Sequence, residues 1–198
     1  MHVTERHPLH GNPPIARARA RAVLPMLWLF SDARNDAGLD DALTRLPHGS
    51  GFVFRHYHLD DAERRERFDA LAAIARRAGH LVILADTAEV ARAWGADGVY
   101  GPAAMHAADD LWRLAAAHDG DELEAANGAR VDGVFLSPVF ATASHPGAPT
   151  LGPMGFQVLA QRSLVPVIAL GGVTRANAPW LDWPRWGAID GLASPLSA

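Results

Sequence analysis

The stretch GVFLSPVFATASHPGAPTLG, residues 133 to 152, sets two hydroxyls (Thr142, Ser144) and a histidine (His145) just beyond an apolar run, Gly133 to Leu136. Hydroxyls offer hydrogen bonds to an anion, and a protonated imidazole adds one positive charge. Turn chemistry alone also accounts for the glycines, prolines and serines of such a loop. His118, with Asp119 and Glu122 after it, is a group that can take and return a proton near neutral pH. The same spacing suits a helix cap or a simple partner of Glu122. Gly171-Gly172-Val173-Thr174 follows a further apolar run, Val167 to Leu170. Two glycines let a backbone approach a phosphate closely and Thr174 can cap a following helix, while a tight turn is the plainer reading. Asp86 precedes Thr87-Ala-Glu. A lone carboxylate there suits either a magnesium ion or a helix cap.

These residues need elements to carry them. Short apolar runs alternate with Ala/Arg/Glu-rich segments, which predicts strands at Met26–Phe30, Gly51–Phe54, Leu81–Leu84, Gly98–Tyr100, Arg113–Ala116, Gly133–Leu136, Val167–Leu170 and Gly191–Ala193. Helices are predicted at 39–46, 61–78, 87–94, 107–111, 122–127, 155–161 and 175–181. A turn recurs as Gly-Ala-Asp-Gly at 95–98 and Gly-Ala-Ile-Asp-Gly at 187–191, with Val-Asp-Gly-Val at 131–134. Repeated units and eight strands predict a single (β/α)8 barrel of the TIM type, with an open doubly wound sheet as the alternative. No strand is followed by Gly-x-Gly-x-x-Gly, which argues against a dinucleotide site. In a barrel, the loops after the strands share one rim. That rim would gather Ser31-Asp32-Ala33-Arg34, Arg55-His56-Tyr57-His58, Asp86, His118, the 137–152 loop, Gly171-Gly172 and Ser194. Loops after the seventh and eighth strands often bind phosphate in such barrels. The sequence stops soon after Ser194, so the eighth helix is expected to be missing. The bared flank would be covered by the N-terminal segment, by Trp180, Trp183 and Trp186, or by a second copy in a homodimer.

Composition narrows the function classes. The chain has 198 residues, a net charge of −4 and no cysteine, so disulfides, thiolate metal sites and cysteine nucleophiles are excluded. No clustered basic face suggests nucleic acid, and no apolar stretch reaches membrane-spanning length. Residues 1–14, rich in Pro, His and Gly, read as a poorly ordered leader without the apolar core of a secretory signal, and 15–198 as the barrel. A cytoplasmic location is the expectation.

From residue 26 to 194 the chain resembles the thiamine phosphate synthase and TenI family. The resemblance rests on Gly95-Ala-Asp-Gly-Val-Tyr100, Ala117-His-Asp-x-x-Glu122, Leu136-Ser-Pro-Val-Phe-x-Thr-x-Ser144, Val165-Pro-Val-Ile-Ala-Leu-Gly-Gly-Val-Thr174 and Gly187-Ala-Ile-Asp-Gly-Leu-Ala-Ser194. It implies a (β/α)8 barrel and a role in thiamine biosynthesis. Synthases of this family join a pyrimidine diphosphate to a thiazole phosphate with magnesium. Their Gln-Leu-Arg-x-Lys pattern is Val53-Phe-Arg55-His-Tyr57 here, so only the arginine remains to hold diphosphate. Of their Asn-Asp pair only Asp86 is kept as a magnesium ligand, their second carboxylate has no match in Gly101-Pro-Ala-Ala, and a lysine aligns with His145. Departure of a diphosphate needs a metal and fixed cations, so that half of the site reads as damaged. The phosphate half, Gly171, Gly172 and Ser194 supported by Thr142, Ser144 and His145, is retained. The TenI branch matches this split: some members interconvert thiazole phosphate tautomers through a histidine aligned with His118, without a metal. Three readings follow: a TenI-like tautomerase, a divergent synthase requiring magnesium, and a barrel that binds a thiazole or thiamine phosphate without turnover, or regulates a partner.

Overall fold

The computed structural model describes residues 23–106, 108–144, 147 and 149–193. The proposed leader at 1–14, His145 and Ser194 therefore lie outside the described residues. Eight parallel strands close into a barrel in sequence order: β1 Leu27–Phe30, β2 Gly51–Phe54, β3 Leu81–Leu84, β4 Gly98–Tyr100, β5 Trp112–Ala117, β6 Gly133–Leu136, β7 Val167–Ala169 and β8 Trp186–Ala188. Pairing of β1 with both β2 and β8 completes the ring. The open-sheet alternative is thereby excluded. Helices α1 Leu39–Arg45, α2 Asp61–Arg77, α3 Ala88–Trp94, α4 Gly120–Ala129, α5 Gly152–Ala160 and α6 Asp190–Ala193 lie between or after the strands.

Alternation along each strand sorts side chains between two cores. Trp28, Phe30, Val53, Ile83, Leu114, Phe135 and Ile168 fill the barrel interior. Leu29, Phe52, Phe54, Val82 and Leu84 point outward to the helices, against Phe68, Leu71 and Leu43. Inside, Phe135 sits edge-on to Trp28, Phe30 and Tyr100, with ring centroids 4.9–5.5 Å apart, a favoured aromatic geometry. This packing explains the glycines that open the strands. A Cβ on Gly51 would fall 2.1 Å from the Trp28 ring, and one on Gly98 2.4 Å from the Trp112 carbonyl. The aspartates of the recurring turn have their own task. Asp97 accepts the Val82 amide and Asp132 the Arg113 amide, each at 2.8 Å. Each carboxylate thus satisfies a donor near the start of the preceding strand.

Four expectations need correction. The third copy of the turn does not open a strand: β8 is Trp186–Ala188, and 191–193 belong to α6. Leu27, Trp28 and Leu29 on β1 find their partners in Trp186, Gly187 and Ala188, so the Asp-Gly of this copy falls after the strand rather than before it. A short helical turn, α6, consequently follows β8 where no eighth helix was expected. The helix expected at 107–111 is replaced by a 3-10 turn at Pro102–Met105, with Leu111 bonded back to Ala108. The helix expected at 175–181 shrinks to the 3-10 turn Ala178–Leu181, which carries Pro179 and ends at Asp182 in the left-handed region. Of the three tryptophans, Trp183 packs on Phe156 and donates to the Val167 carbonyl, Trp186 lies against the outer core, and Trp180 is exposed.

Candidate functional site

At the rim where the strands end, a cavity of about 540 Å³ opens between the loops, within the range of roughly 300–1,000 Å³ usual for small-molecule sites. Arg55, His118, Thr142, Ser144, Gly171 and Gly172 all line it. Six predicted site residues from four loops therefore share one wall. Asp86 is not part of that wall.

His118 leaves the end of β5 just before α4, whose N-cap is Asp119, with its carboxylate on the Glu122 amide at 2.9 Å. Glu122 reaches back and accepts both the His118 amide at 2.7 Å and His118 Nδ1 at 2.8 Å. The capping reading of this motif holds, and the capping turn fixes the imidazole. With the Nδ1 proton on Glu122, a neutral His118 keeps the Nε2 lone pair for a proton. The side chain is half exposed at the cavity wall.

The loop after β6 runs beside the end of β7. Val139 and Phe140 amides donate to the Leu170 and Gly171 carbonyls, both at 2.9 Å. Gly171 and Gly172 have φ of +86° and +64°. A Cβ would meet Pro138 Cα at 2.6 Å from Gly171 and the Ala141 carbonyl at 2.3 Å from Gly172. The glycines therefore serve the contact between two loops as well as the cavity wall. Asn177 then ties the turn, donating to the Gly172 carbonyl and accepting from the Thr174 amide. Thr174 itself accepts the Asn177 amide and caps no helix of the length expected.

Arg55 leaves β2 with its Nε on the Ser31 carbonyl at 3.0 Å and its Nη2 on Asp32 at 2.8 Å. Burial raises the Asp32 pKa, but hydrogen bonds from Arg34 and the charges of Arg34 and Arg55 outweigh it and hold the carboxyl below its ordinary value. Behind this pair His56 is buried between Ser31 Oγ at 2.8 Å and Asp36 at 2.7 Å. It is thus part of the scaffold. Sequence reading missed two residues. Tyr100, at the end of β4, brings a phenol to the cavity, and burial pushes its pKa up to about 12. Arg34, merely one member of the first loop in the sequence, spans the mouth to Ser144 at 2.8 Å.

Residues 31–182 match the protein family described as thiamine monophosphate synthase, which also takes in the TenI proteins. The chain belongs to that family. A thiamine-phosphate synthase of Chloroflexus aurantiacus is 34% identical over 149 residues, 71% of this chain and 67% of that one. One of Methanoregula boonei is 37% identical over 116 residues, so the match spans about half, 54%, of each protein. Among solved structures, a thiamine phosphate pyrophosphorylase of Pyrococcus furiosus superposes with a TM-score of 0.71 at 23% identity, covering 84% of this chain and 89% of that one. It shares the barrel fold.

The synthase side of this family raises the question of magnesium. Asp86 is the carboxylate expected to hold it. Its Oδ2 is 2.5 Å from Arg64 Nη1, and its Oδ1 accepts the Thr87 amide at 2.7 Å. Arg64 is buried, donates also to the Arg55 and Ala85 carbonyls, and lies 5.4 Å from the Trp94 ring centroid. Both oxygens of Asp86 are thus in use, one by a fixed cation. Among the described residues no group of three His, Asp or Glu side chains is placed to share an ion. An ion at Asp86 would have to share this carboxylate with Arg64 or displace it. Among the described residues no helix is long and apolar enough to cross a membrane.

Proposed function

We propose that the chain is a TenI-like tautomerase acting on a phosphorylated thiazole by proton transfer through His118. One observation carries the reading: an imidazole anchored through Nδ1 to Glu122 lines the same cavity as the Gly171-Gly172 turn. Nε2 takes a proton from one position of the substrate and returns it at another. The Glu122 carboxylate, 2.8 Å from Nδ1, stabilises the imidazolium formed in between. We assign the phosphate to Gly171, Gly172, Thr142 and Ser144 in the cavity wall; the sequence alone adds His145 and Ser194 as further candidates. Tyr100 stays neutral and acts only as a hydrogen-bond donor or acceptor. Such a proton shift has no departing diphosphate and needs no metal, in keeping with the engagement of Asp86 by Arg64.

The test is conversion of one thiazole phosphate tautomer into the other by His118→Asn. Loss of at least 100-fold in rate, with an unchanged circular dichroism spectrum, is expected from removal of a general acid–base. Conversion at the parental rate would refute the role. The second reading, a divergent synthase, is favoured by Arg55 in the cavity wall and by the synthases among the relatives. It requires magnesium-dependent formation of thiamine phosphate.

A further inference from the structure

The loop after β1 sends one side chain across the barrel mouth. Arg34 Nη2 donates to Ser144 Oγ at 2.8 Å, and its Nη1 lies 3.3 Å from Asp190 Oδ2. Ser144 and Asp190 both line the cavity. The base of the guanidinium is fixed: Nε donates to Asp32 Oδ1 at 2.8 Å, and the Arg34 amide to the same oxygen at 3.2 Å. Asp32 is also the partner of Arg55. Two guanidinium charges thus share one carboxylate, and the remaining charge is balanced by Asp190.

That last contact is weak. Asp190 is 57% exposed and its pair with Arg34 is long; exposed pairs of this kind contribute little. A phosphate offers the same guanidinium charge-assisted hydrogen bonds in a geometry an arginine fork matches. The loop from 137 to 152 contains no lysine or arginine, so a phosphate resting on Thr142 and Ser144 takes no arginine or lysine charge from its own loop.

Building on the reading of a phosphorylated ligand, we infer that Arg34 is the phosphate-binding cation of this site, and that it exchanges Asp190 for the ligand's phosphate. The positive charge comes from the first loop, and Asp190 acts as a built-in competitor that an anion must displace. Ser144, itself in the cavity wall, keeps hold of Arg34 while the exchange takes place.

Inorganic phosphate is the probe, titrated into the protein and followed by 31P NMR line broadening. The expected result is saturable binding to the parental protein, weakened at least tenfold in Arg34→Gln and tightened severalfold in Asp190→Asn. Arg34→Lys, which keeps the charge but loses the fork, should fall between the parent and Arg34→Gln. Asp190 is a surface residue, so its variant tests the idea even if Arg34→Gln folds poorly. No binding by the parental protein, or equal binding by all four proteins, would overturn the proposal. This outcome is independent of the tautomerase reading, which fails instead if His118→Asn converts substrate normally while phosphate still binds through Arg34.

Discussion

At the scale of single residues, the same chemical group takes opposite roles according to its partner. His118 and His56 both face carboxylates, yet His118 stands half exposed at a cavity and His56 is sealed beneath the rim. Only the first can meet a substrate. Asp86 and Asp32 both face arginines, but Arg64, the partner of Asp86, is buried, whereas Arg55, a partner of Asp32, lines the cavity. Asp86→Asn is therefore expected to cost about 1–3 kcal/mol of stability, since a hydrogen bond between charged groups is lost and a buried guanidinium keeps its charge. Tautomer conversion should stay at the parental rate. Urea denaturation and a rate measurement on the same sample check this; unchanged stability with lost activity would point to a metal-binding Asp86. Arg34 was read in the sequence only as one residue of the first rim loop, without a role of its own. Its partner Ser144 is 110 residues away, and nothing local distinguishes it from a solvated surface arginine.

At the scale of elements, what could be read in the sequence was what local physics determines. Strands β2, β3, β4 and β6 stand where their apolar runs predicted them, and β4 and β6 follow turns, Asp97-Gly98 and Asp132-Gly133, whose aspartate and glycine have fixed tasks. Thr87 and Asp119 cap α3 and α4 as their side chains allow. The eighth strand was misplaced because only its pairing with β1 decides which half of Trp186–Ala193 is extended. That His118, Gly171-Gly172 and the hydroxyls of the β6 loop gather at one cavity was legible in the sequence, whereas the contact between the β6 and β7 loops was not. That contact makes a prediction. Gly172→Ala forces a side chain into the left-handed region, costing about 1–2 kcal/mol, and drives its Cβ into the Ala141 carbonyl. It should displace the β6 loop, weaken phosphate binding and lower the melting temperature. A Gly172→Ala protein with parental phosphate affinity in the same 31P titration would show that the loop contact does not shape the site.

At the scale of the whole molecule, the barrel buries groups that make its stability sensitive to acid. Burial lowers the His56 pKa below its ordinary 6.5 and outweighs the opposing hydrogen bond from Asp36. Burial likewise lowers that of His80, whose Nε2 bonds the Leu43 carbonyl while its buried Nδ1 has no partner among the described residues. A histidine whose folded pKa is depressed contributes stability that is complete above about 6.5 and is lost as pH falls below it. The unfolding free energy measured in urea should therefore decline from pH 7 towards pH 5, with a shallower slope in His80→Gln. A flat profile in the parental protein would mean that neither histidine is held neutral. The same barrel brings an anchored imidazole and a glycine turn to one cavity and leaves the expected magnesium ligand tied to Arg64. The measurement that bears on this most directly is proton NMR of the parental protein with a thiazole phosphate tautomer in D2O containing EDTA. The account predicts conversion to the second tautomer with deuterium entering from solvent. No conversion under those conditions, together with thiamine phosphate appearing once magnesium and pyrimidine diphosphate are supplied, would contradict it.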